Sequence, residues 1–179
     1  MKKVLLTIAA IALFAAPASA QVLSLWADEG MTACDITTMA PYQMFNLYVF
    51  LEPGADGAFA VEYKLTTPAG HFSPSSVINP VVSAATIGTW INGAGISAPF
   101  TSCQADVFWV INLSMMGPDT NPGFYVLGPN DTTGFMGVAI CPGTRPMVDG
   151  SAYNNFGFND GCVVGTEETS WGAIKNLMD

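Results

Sequence analysis

Large apolar side chains alternate with smaller or polar ones over residues 106–115, and this period of two is the clearest pattern in the chain. The alternating set is Val107, Trp109, Ile111, Leu113 and Met115. Alternate side chains of a β-strand point to opposite faces, so the pattern predicts a strand with this set facing the core. At ~3.3 Å per residue the segment spans roughly 30 Å, which suits the middle of a sheet.

A second alternation begins just after the turn sequence Pro53–Gly57. Its apolar positions are Phe59, Val61, Tyr63 and Leu65. Small, charged or hydroxyl residues lie between them, which predicts a strand of an antiparallel sheet with one face in the core. The preceding segment 44–51 is rich in aromatic and aliphatic residues and is predicted to be buried on both faces. Because only a short turn separates the two segments, we expect them to be hairpin partners.

Short predicted strands separated by glycine- and proline-rich turns make up most of the remaining chain. A first strand is predicted at residues 22–26, and residues 68–74 are predicted to form a loop. Helical spacing of apolar residues occurs only at the C-terminus, at Trp171, Ile174, Leu177 and Met178. This pattern is typical of an all-β protein. We expect one antiparallel β-sandwich, immunoglobulin-like or jelly-roll-like, with a short C-terminal helix.

The first twenty residues have the three regions of a secretory signal. Lys2 and Lys3 form a basic head, residues 4–16 form an apolar run, and Ala18-Ser19-Ala20 provides small residues for cleavage. The apolar run is short for a membrane span. Residues 1–20 are therefore predicted to be a bacterial-type signal peptide and residues 21–179 a single domain without a membrane span. We expect a secreted, periplasmic or cell-surface protein.

Four cysteines, an even number, are expected to form two disulfides in an oxidising compartment. They are Cys34, Cys103, Cys141 and Cys162. Three pairings are possible, and the sequence favours Cys34–Cys103 with Cys141–Cys162 because the second pair brackets an apparent hairpin. A metal site is not predicted, since there is no Cys-x-x-Cys pair and the one histidine is remote in sequence from all four cysteines.

The charge of the chain excludes one class of partner and its hydrophobicity suggests another. The net charge is −9, and removal of Lys2 and Lys3 with the signal would change it to −11, so nucleic acid is not an expected partner. Hydrophobic residues make up 50% of the sequence and charged ones only 11%, against about a quarter in ordinary proteins. This excess predicts an apolar surface that contacts a protein partner or further copies of the chain.

Residues suited to catalysis or metal binding are few. His71 could act as a base for Ser73, Ser75 or Ser76, but no Gly-x-Ser-x-Gly motif supports a hydrolase, and a solvated loop histidine is the preferred interpretation. We therefore predict no catalytic residue and no enzyme activity. Calcium is a possible ligand of the Asp- and Asn-containing turns, although such residues are also common in turns for conformational reasons. These turns are Asp28-Glu29, Asp119-Thr120-Asn121, Asn130-Asp131 and Asn159-Asp160.

The segment 153–161 combines aromatic rings with side-chain amides. Rings that stack on the apolar face of a sugar, beside amides that bond its hydroxyls, are typical of carbohydrate sites. The alternative is an ordinary hairpin with the phenylalanines inside and Asn159-Asp160-Gly161 as its turn. The candidate ligand-binding residues are Tyr153, Asn154, Asn155, Phe156, Phe158 and Asp160.

Both ends of the chain resemble those of a group of uncharacterised secreted bacterial proteins. The resemblance lies in Leu25–Cys34, a short strand followed by an acidic turn and a cysteine, and in Thr169–Leu177. It implies secretion and disulfides but no mechanism or catalytic residue. Taken together, the sequence predicts a secreted, non-enzymatic structural or interaction protein. The alternatives are a carbohydrate- or other ligand-binding module and a hydrolase that uses His71.

Overall fold

A computed structural model describes residues 21–141 and 146–164, which are folded almost entirely into strands and turns. The strands are β1 (Gln21–Trp26), β2 (Asp35–Ile36), β3 (Met44–Glu52), β4 (Ala58–Thr66), β5 (Phe72–Ile78), β6 (Ile87–Gly88), β7 (Ile96–Gln104), β8 (Phe108–Met116), β9 (Gly123–Gly128), β10 (Gly137–Ile140), β11 (Met147–Ala152), β12 (Asn154–Phe158) and β13 (Val163–Val164). The predicted all-β class is confirmed.

The strands form two layers that are joined along one side. One layer has the order β5-β8-β3-β1, and the other is built around β4, which pairs with β7, β9 and β10. Strand β11 pairs with both β10 and β1 and so connects the layers. The apolar faces of the two layers meet in one core. Strands β1, β3 and β8 contribute Leu23, Leu25, Leu47, Leu51, Ile111 and Leu113 to it. The opposite layer contributes Val61, Tyr63, Leu65, Ile96, Ala98, Phe100 and Val138.

The sheet is mixed, whereas the sequence pattern predicts a purely antiparallel one. Strands β1 and β11 pair in parallel, with Gln21 opposite Gly150, and β2 and β12 also pair in parallel. Parallel strands from the first and last parts of a chain are not joined by a short turn, so their pairing leaves no local signal in the sequence. The predicted C-terminal helix and the predicted signal peptide fall on residues outside the described ranges. Within the described parts of the chain no helix is long and apolar enough to cross a membrane.

Strands β3 and β4 are not hairpin partners, although only residues 53–57 separate them. Strand β3 pairs with β1 and β8, and β4 pairs with strands of the opposite layer. The connection crosses between the layers and uses two glycines with positive φ, Gly54 and Gly57. The predicted core face of β4 is confirmed at Val61, Tyr63 and Leu65.

A β-bulge in β8 changes which side chains face the core. Val49 pairs with Ile111 and Phe50 pairs with Trp109, so Val110 is an extra residue in β8. Val110 and Ile111 are both buried, and the predicted alternation holds only from Ile111 to Met115. Trp109 lies on the outer face of the sheet, contrary to the prediction, and Val107 is exposed just before the strand.

All four cysteines form disulfides, but the predicted pairing is wrong. The bonds are Cys34–Cys162 and Cys103–Cys141. Cys34 precedes β2, which pairs with the end of β12, and Cys162 follows β12 closely. Gln104 of β7 and Ile140 of β10 both pair with Ala58 of β4. Their sequence neighbours Cys103 and Cys141 therefore lie close together. The pairing thus follows from strand order, which the spacing of the cysteines does not reveal.

Candidate functional site

Aromatic side chains cover the outer face of the β1-β3-β8 layer, which we call the aromatic face. It consists of Trp26, Tyr48, Phe50, Trp109 and Tyr153. The register places Trp26 opposite Tyr48, and places Phe50 between Ser24 and Trp109. These side chains alternate with core residues such as Leu25, Val49 and Leu51. The outer face of an antiparallel sheet is usually polar, so this surface is unusual.

Each ring of the aromatic face contacts at least one other ring of this face. Tyr48 contacts Trp109 edge to face, with ring centroids 6.2 Å apart, and lies 6.1 Å from Phe50. Tyr48 and Phe50 are buried beneath their neighbours, whereas Trp26 and Trp109 are half-buried and Tyr153 is 45% exposed. Trp109 therefore packs on the buried ring of Tyr48, whereas Trp26 and Tyr153 contact each other.

The position of Tyr153 depends on its neighbour Asn154. The buried side chain of Asn154 accepts a hydrogen bond from the Leu25 N–H at 2.8 Å and donates one to the Leu25 carbonyl at 2.7 Å. The Tyr153 N–H donates to the Leu23 carbonyl at 2.8 Å. These bonds fix the junction between β11 and β12 against β1, and the Tyr153 ring stacks on Trp26 with centroids 6.2 Å apart and planes 24° apart.

An acidic turn after β1 borders the aromatic face. The Asp28 carboxylate accepts hydrogen bonds from the N–H groups of Thr32 and Ala33 and from the Thr32 hydroxyl. Desolvation alone would raise the pKa of Asp28, but these bonds outweigh it and the pKa lies below its ordinary value. The turn positions Met31, which has a positive φ.

Glu29 in the same turn lies over the aromatic face. The Tyr48 hydroxyl donates a hydrogen bond to Glu29 Oε1 at 3.4 Å. Burial raises the pKa of Tyr48, and the negative charge of Glu29 raises it further, so the phenol stays neutral. The turn therefore places a carboxylate beside buried rings.

A surface hollow of about 230 Å³ opens at the edge of the aromatic face. It is lined by Val22, Ser24, Trp26, Met31, Glu52, Val107 and Tyr153. Glu52 is opposite Val22 in the β1–β3 register, so its carboxylate belongs to the same face as Ser24 and Trp26. The hollow combines apolar walls with one acidic group.

The structure divides the candidate ligand-binding residues of segment 153–160. Phe156 and Phe158 are fully buried in the core, and the Asn154 amide is used by Leu25, so these three cannot stack on or bond a ligand at the surface. Tyr153 and Asp160 are exposed, and Asn155 is half-buried. Glycan binding through this segment stays a prediction in which only the latter three residues could take part.

His71 is buried, and the expectation of a solvated loop histidine is wrong. Its Nδ1 lies 2.5 Å from the Tyr125 hydroxyl, and its ring packs edge to face on Phe158 at 4.6 Å. Burial lowers the pKa of His71, although the charge of Asp119 opposes this shift, so the neutral ring is favoured. The hydrogen bond of Nδ1 is thus made to a tyrosine of the core and not to one of the serines considered as nucleophiles.

The turns considered for calcium use their oxygens within the chain. Asp119 accepts a hydrogen bond from the Asn121 N–H, Asn130 accepts one from the Thr132 N–H, and Asp131 pairs with Lys64 at 2.6 Å. Asn159 bridges to the backbone of Met39 and Thr120. Among the residues that the structure describes, no three His, Cys, Asp or Glu side chains cluster in a way that could hold a metal ion.

The fold is similar to that of solved cohesin structures. The solution structure of CaCohA2 from Clostridium acetobutylicum has a TM-score of 0.55 at 12% identity, covering 85% of this chain and 96% of that one. A non-cellulosomal cohesin from the hyperthermophilic archaeon Archaeoglobus fulgidus has a TM-score of 0.52 at 12% identity, covering 84% and 95%. A chain from the crystal structure of a complex between a CaDoc0917 variant and CaCohA2 has a TM-score of 0.52 at 11% identity, covering 76% and 96%. No protein-family model and no curated protein matches the sequence.

At this level of identity the likeness shows the fold alone. The protein is thus an all-β, cohesin-like β-sandwich with two disulfides. The alternation in β8 predicts Trp109 in the core, so the sequence does not group it with the other rings of the aromatic face. The signal that points to this surface is segment 44–51, in which both sets of alternate residues are apolar apart from Asn46.

Proposed function

We propose that the protein is a secreted, non-enzymatic binding module that holds a second protein against its aromatic face. The observation that carries this proposal is the group of exposed and half-buried rings, Trp26, Trp109 and Tyr153, on the outer side of a sheet. Tryptophan and tyrosine are enriched among the residues that dominate binding energy at protein interfaces. Each of these rings already contacts another ring, which limits the conformational freedom that binding would remove.

Charge favours a basic partner. The chain has a net charge of −9, and Lys64, which is paired with Asp131, is the only lysine or arginine within residues 21–141 and 146–164. Asp28, Glu29 and Glu52 adjoin the aromatic face. A second copy docked face to face would bring these carboxylates together, so a different, positively charged protein is the better match.

The remaining parts of the proposal have separate support. The signal-like residues 1–20 and the two disulfides favour secretion, because disulfides persist in oxidising compartments. The burial of His71 and its hydrogen bond to Tyr125 argue against the hydrolase alternative that uses this histidine. One neighbour of the same fold was solved as a complex of two proteins, which shows in that case that a cohesin-like sandwich can carry a protein interface.

The test is capture by the immobilised protein from the extracellular fraction of the source organism, followed by a binding titration with each captured protein after purification. We expect a basic protein that binds the unaltered chain with a saturable isotherm. The double variant W26A/Y153A should weaken this binding at least tenfold, since interface aromatics often contribute ~2 kcal/mol or more each.

The matched control is Ile87→Ala, because Ile87 is a highly exposed apolar residue on β6, in the opposite layer. This variant should bind the partner as the unaltered chain does. Equal binding by W26A/Y153A and the unaltered chain would contradict the proposal. A glycan-array signal lost on Tyr153→Ala, without any protein partner, would instead support the carbohydrate-binding alternative.

A further inference from the structure

The hollow beside Trp26 has fixed aromatic walls. The indole Nε1–H of Trp26 donates a hydrogen bond to Ser24 Oγ at 2.8 Å, which sets the orientation of the ring, and Tyr153 stacks beside it. Met31 provides a polarizable thioether from the turn that Asp28 holds. Because these side chains are already held in place without a ligand, stacking of a ligand on them would require little rearrangement of the protein.

Glu52 supplies an acidic group at the same hollow. Its side chain is exposed, and none of the described residues forms a hydrogen bond or an ion pair with its carboxylate. Because a carboxylate and an indole ring line the same hollow, both groups that bind a cation are present there. The ring face attracts positive charge and the carboxylate pairs with it.

The size of the hollow limits the occupant. Pockets for drug-sized ligands measure about 300–1,000 Å³, and this hollow measures about 230 Å³. It is thus suited to one side chain and not to a long segment. A guanidinium group is planar, stacks on aromatic faces and bonds a carboxylate through two N–H groups, whereas an ammonium group offers a point charge.

The geometry points to a receptor for a single arginine side chain of the partner, with the guanidinium stacked on Trp26 and bonded to Glu52. This inference rests on the proposed function and names the group that the partner presents. Trp26 and Tyr153 supply the stacking surface, Met31 closes the side, and Glu52 supplies the charge. The negative charge of the whole chain adds long-range attraction.

The experiment is an NMR titration of the indole N–H signals of the mature chain with N-acetyl-arginine methylamide. The neutral, nearly isosteric N-acetyl-citrulline methylamide and the lysine analogue are titrated in parallel. We expect the arginine probe to shift the Trp26 signal, with binding about tenfold weaker for the citrulline probe because the charge-assisted bond is lost. The lysine probe should bind more weakly than the arginine probe.

Variants separate the contributions of charge and stacking. Glu52→Gln should weaken binding of the arginine probe about tenfold, so that the chain no longer prefers the arginine probe to the citrulline probe. Asp160→Asn is the matched control, because it removes one exposed carboxylate at the opposite end of β12 from Tyr153, and its binding should stay within about twofold of the unaltered chain. Trp26→Phe keeps a ring in place but removes the reporting indole, so its titration is followed through the backbone amide signals of Ser24 and Tyr153, which line the same hollow. This variant should bind the arginine probe more weakly than the unaltered chain without unfolding.

The possible results distinguish this inference from the proposed function. Equal binding of the arginine and citrulline probes, an unchanged affinity in Glu52→Gln, or shifts confined to other indoles would each overturn the arginine site. If a basic protein still bound the aromatic face in that case, the proposed function would stand without it. If the probe bound as expected but W26A/Y153A left protein capture unchanged, the proposed function would fail while the arginine site remained.

Discussion

The hydroxyl of Tyr63 is fully buried in the core and has no hydrogen-bond partner among the described residues. A buried polar group without a partner costs about 1–3 kcal/mol. We therefore expect Tyr63→Phe to raise the free energy of unfolding by about 1 kcal/mol or more, as measured by urea denaturation. The matched control is Tyr125→Phe, which removes a hydroxyl bonded to His71 and should lower it. Loss of stability in Tyr63→Phe would contradict this account of the core.

His71 should make the free energy of unfolding depend on pH between about pH 5 and 8. No other side chain among the described residues ordinarily titrates in that range. Burial lowers the folded-state pKa of His71 below the unfolded value of 6.5, with Asp119 opposing the shift. Its contribution is therefore fully present above pH 6.5 and is lost as the pH falls through the folded-state pKa, because the unfolded chain binds the proton first.

The measurement for His71 is urea denaturation at pH 7.5 and at pH 5.5, both about one unit from its unfolded pKa. The unaltered chain should be less stable at the lower pH. His71→Gln keeps an acceptor for the Tyr125 hydroxyl but cannot be protonated, so its two values should differ less. A pH dependence that is identical in the two proteins would show that His71 is not its source.

At the level of strands, the sequence predicts local structure better than pairing. The alternation of Val61, Tyr63 and Leu65 with polar neighbours correctly gives the core face of β4, because side-chain direction follows from the period of the strand. The pairing of β3 is not predicted, since a connection of a few residues can close a hairpin or cross between layers. The bulge at Val110 is equally invisible, because it depends on the register against β3.

The two disulfides provide a test of the strand order. In the chain-entropy model, closing the 128-residue separation of Cys34–Cys162 stabilises by ~5 kcal/mol, and closing the 38-residue separation of Cys103–Cys141 by ~4 kcal/mol. We expect C34S/C162S to lower the free energy of unfolding by up to the former amount and C103S/C141S by up to the latter. Peptide mapping without reduction should identify the same pairs. Recovery of a Cys34–Cys103 peptide would contradict the observed pairing.

At the scale of the whole molecule, composition predicts that apolar surface is exposed but not where it lies. Tyr153 is the one candidate residue of segment 153–160 that belongs to the aromatic face, and it does so because Asn154 anchors the chain to β1. Trp26 and Glu52 are distant from it in sequence and meet it only through the parallel β1–β11 pair and the β1–β3 register. Such long-range neighbours cannot be derived from local patterns.

The negative charge of the molecule should keep its copies apart and attract the basic partner that we propose. The aromatic face is bordered by Asp28, Glu29 and Glu52, so a face-to-face dimer would bring like charges together, and this repulsion is strongest when salt does not screen it. We expect sedimentation velocity to give a monomer at about 20 mM NaCl, and any dimer to appear only near 500 mM.

Binding of a basic partner should show the opposite dependence on salt, because added salt screens the attraction between opposite charges and so weakens binding. The control for both measurements is Ile87→Ala, which alters an apolar residue away from these carboxylates. A dimer that forms at low salt and is lost in W26A/Y153A would instead identify a second copy of the chain as the occupant of the aromatic face.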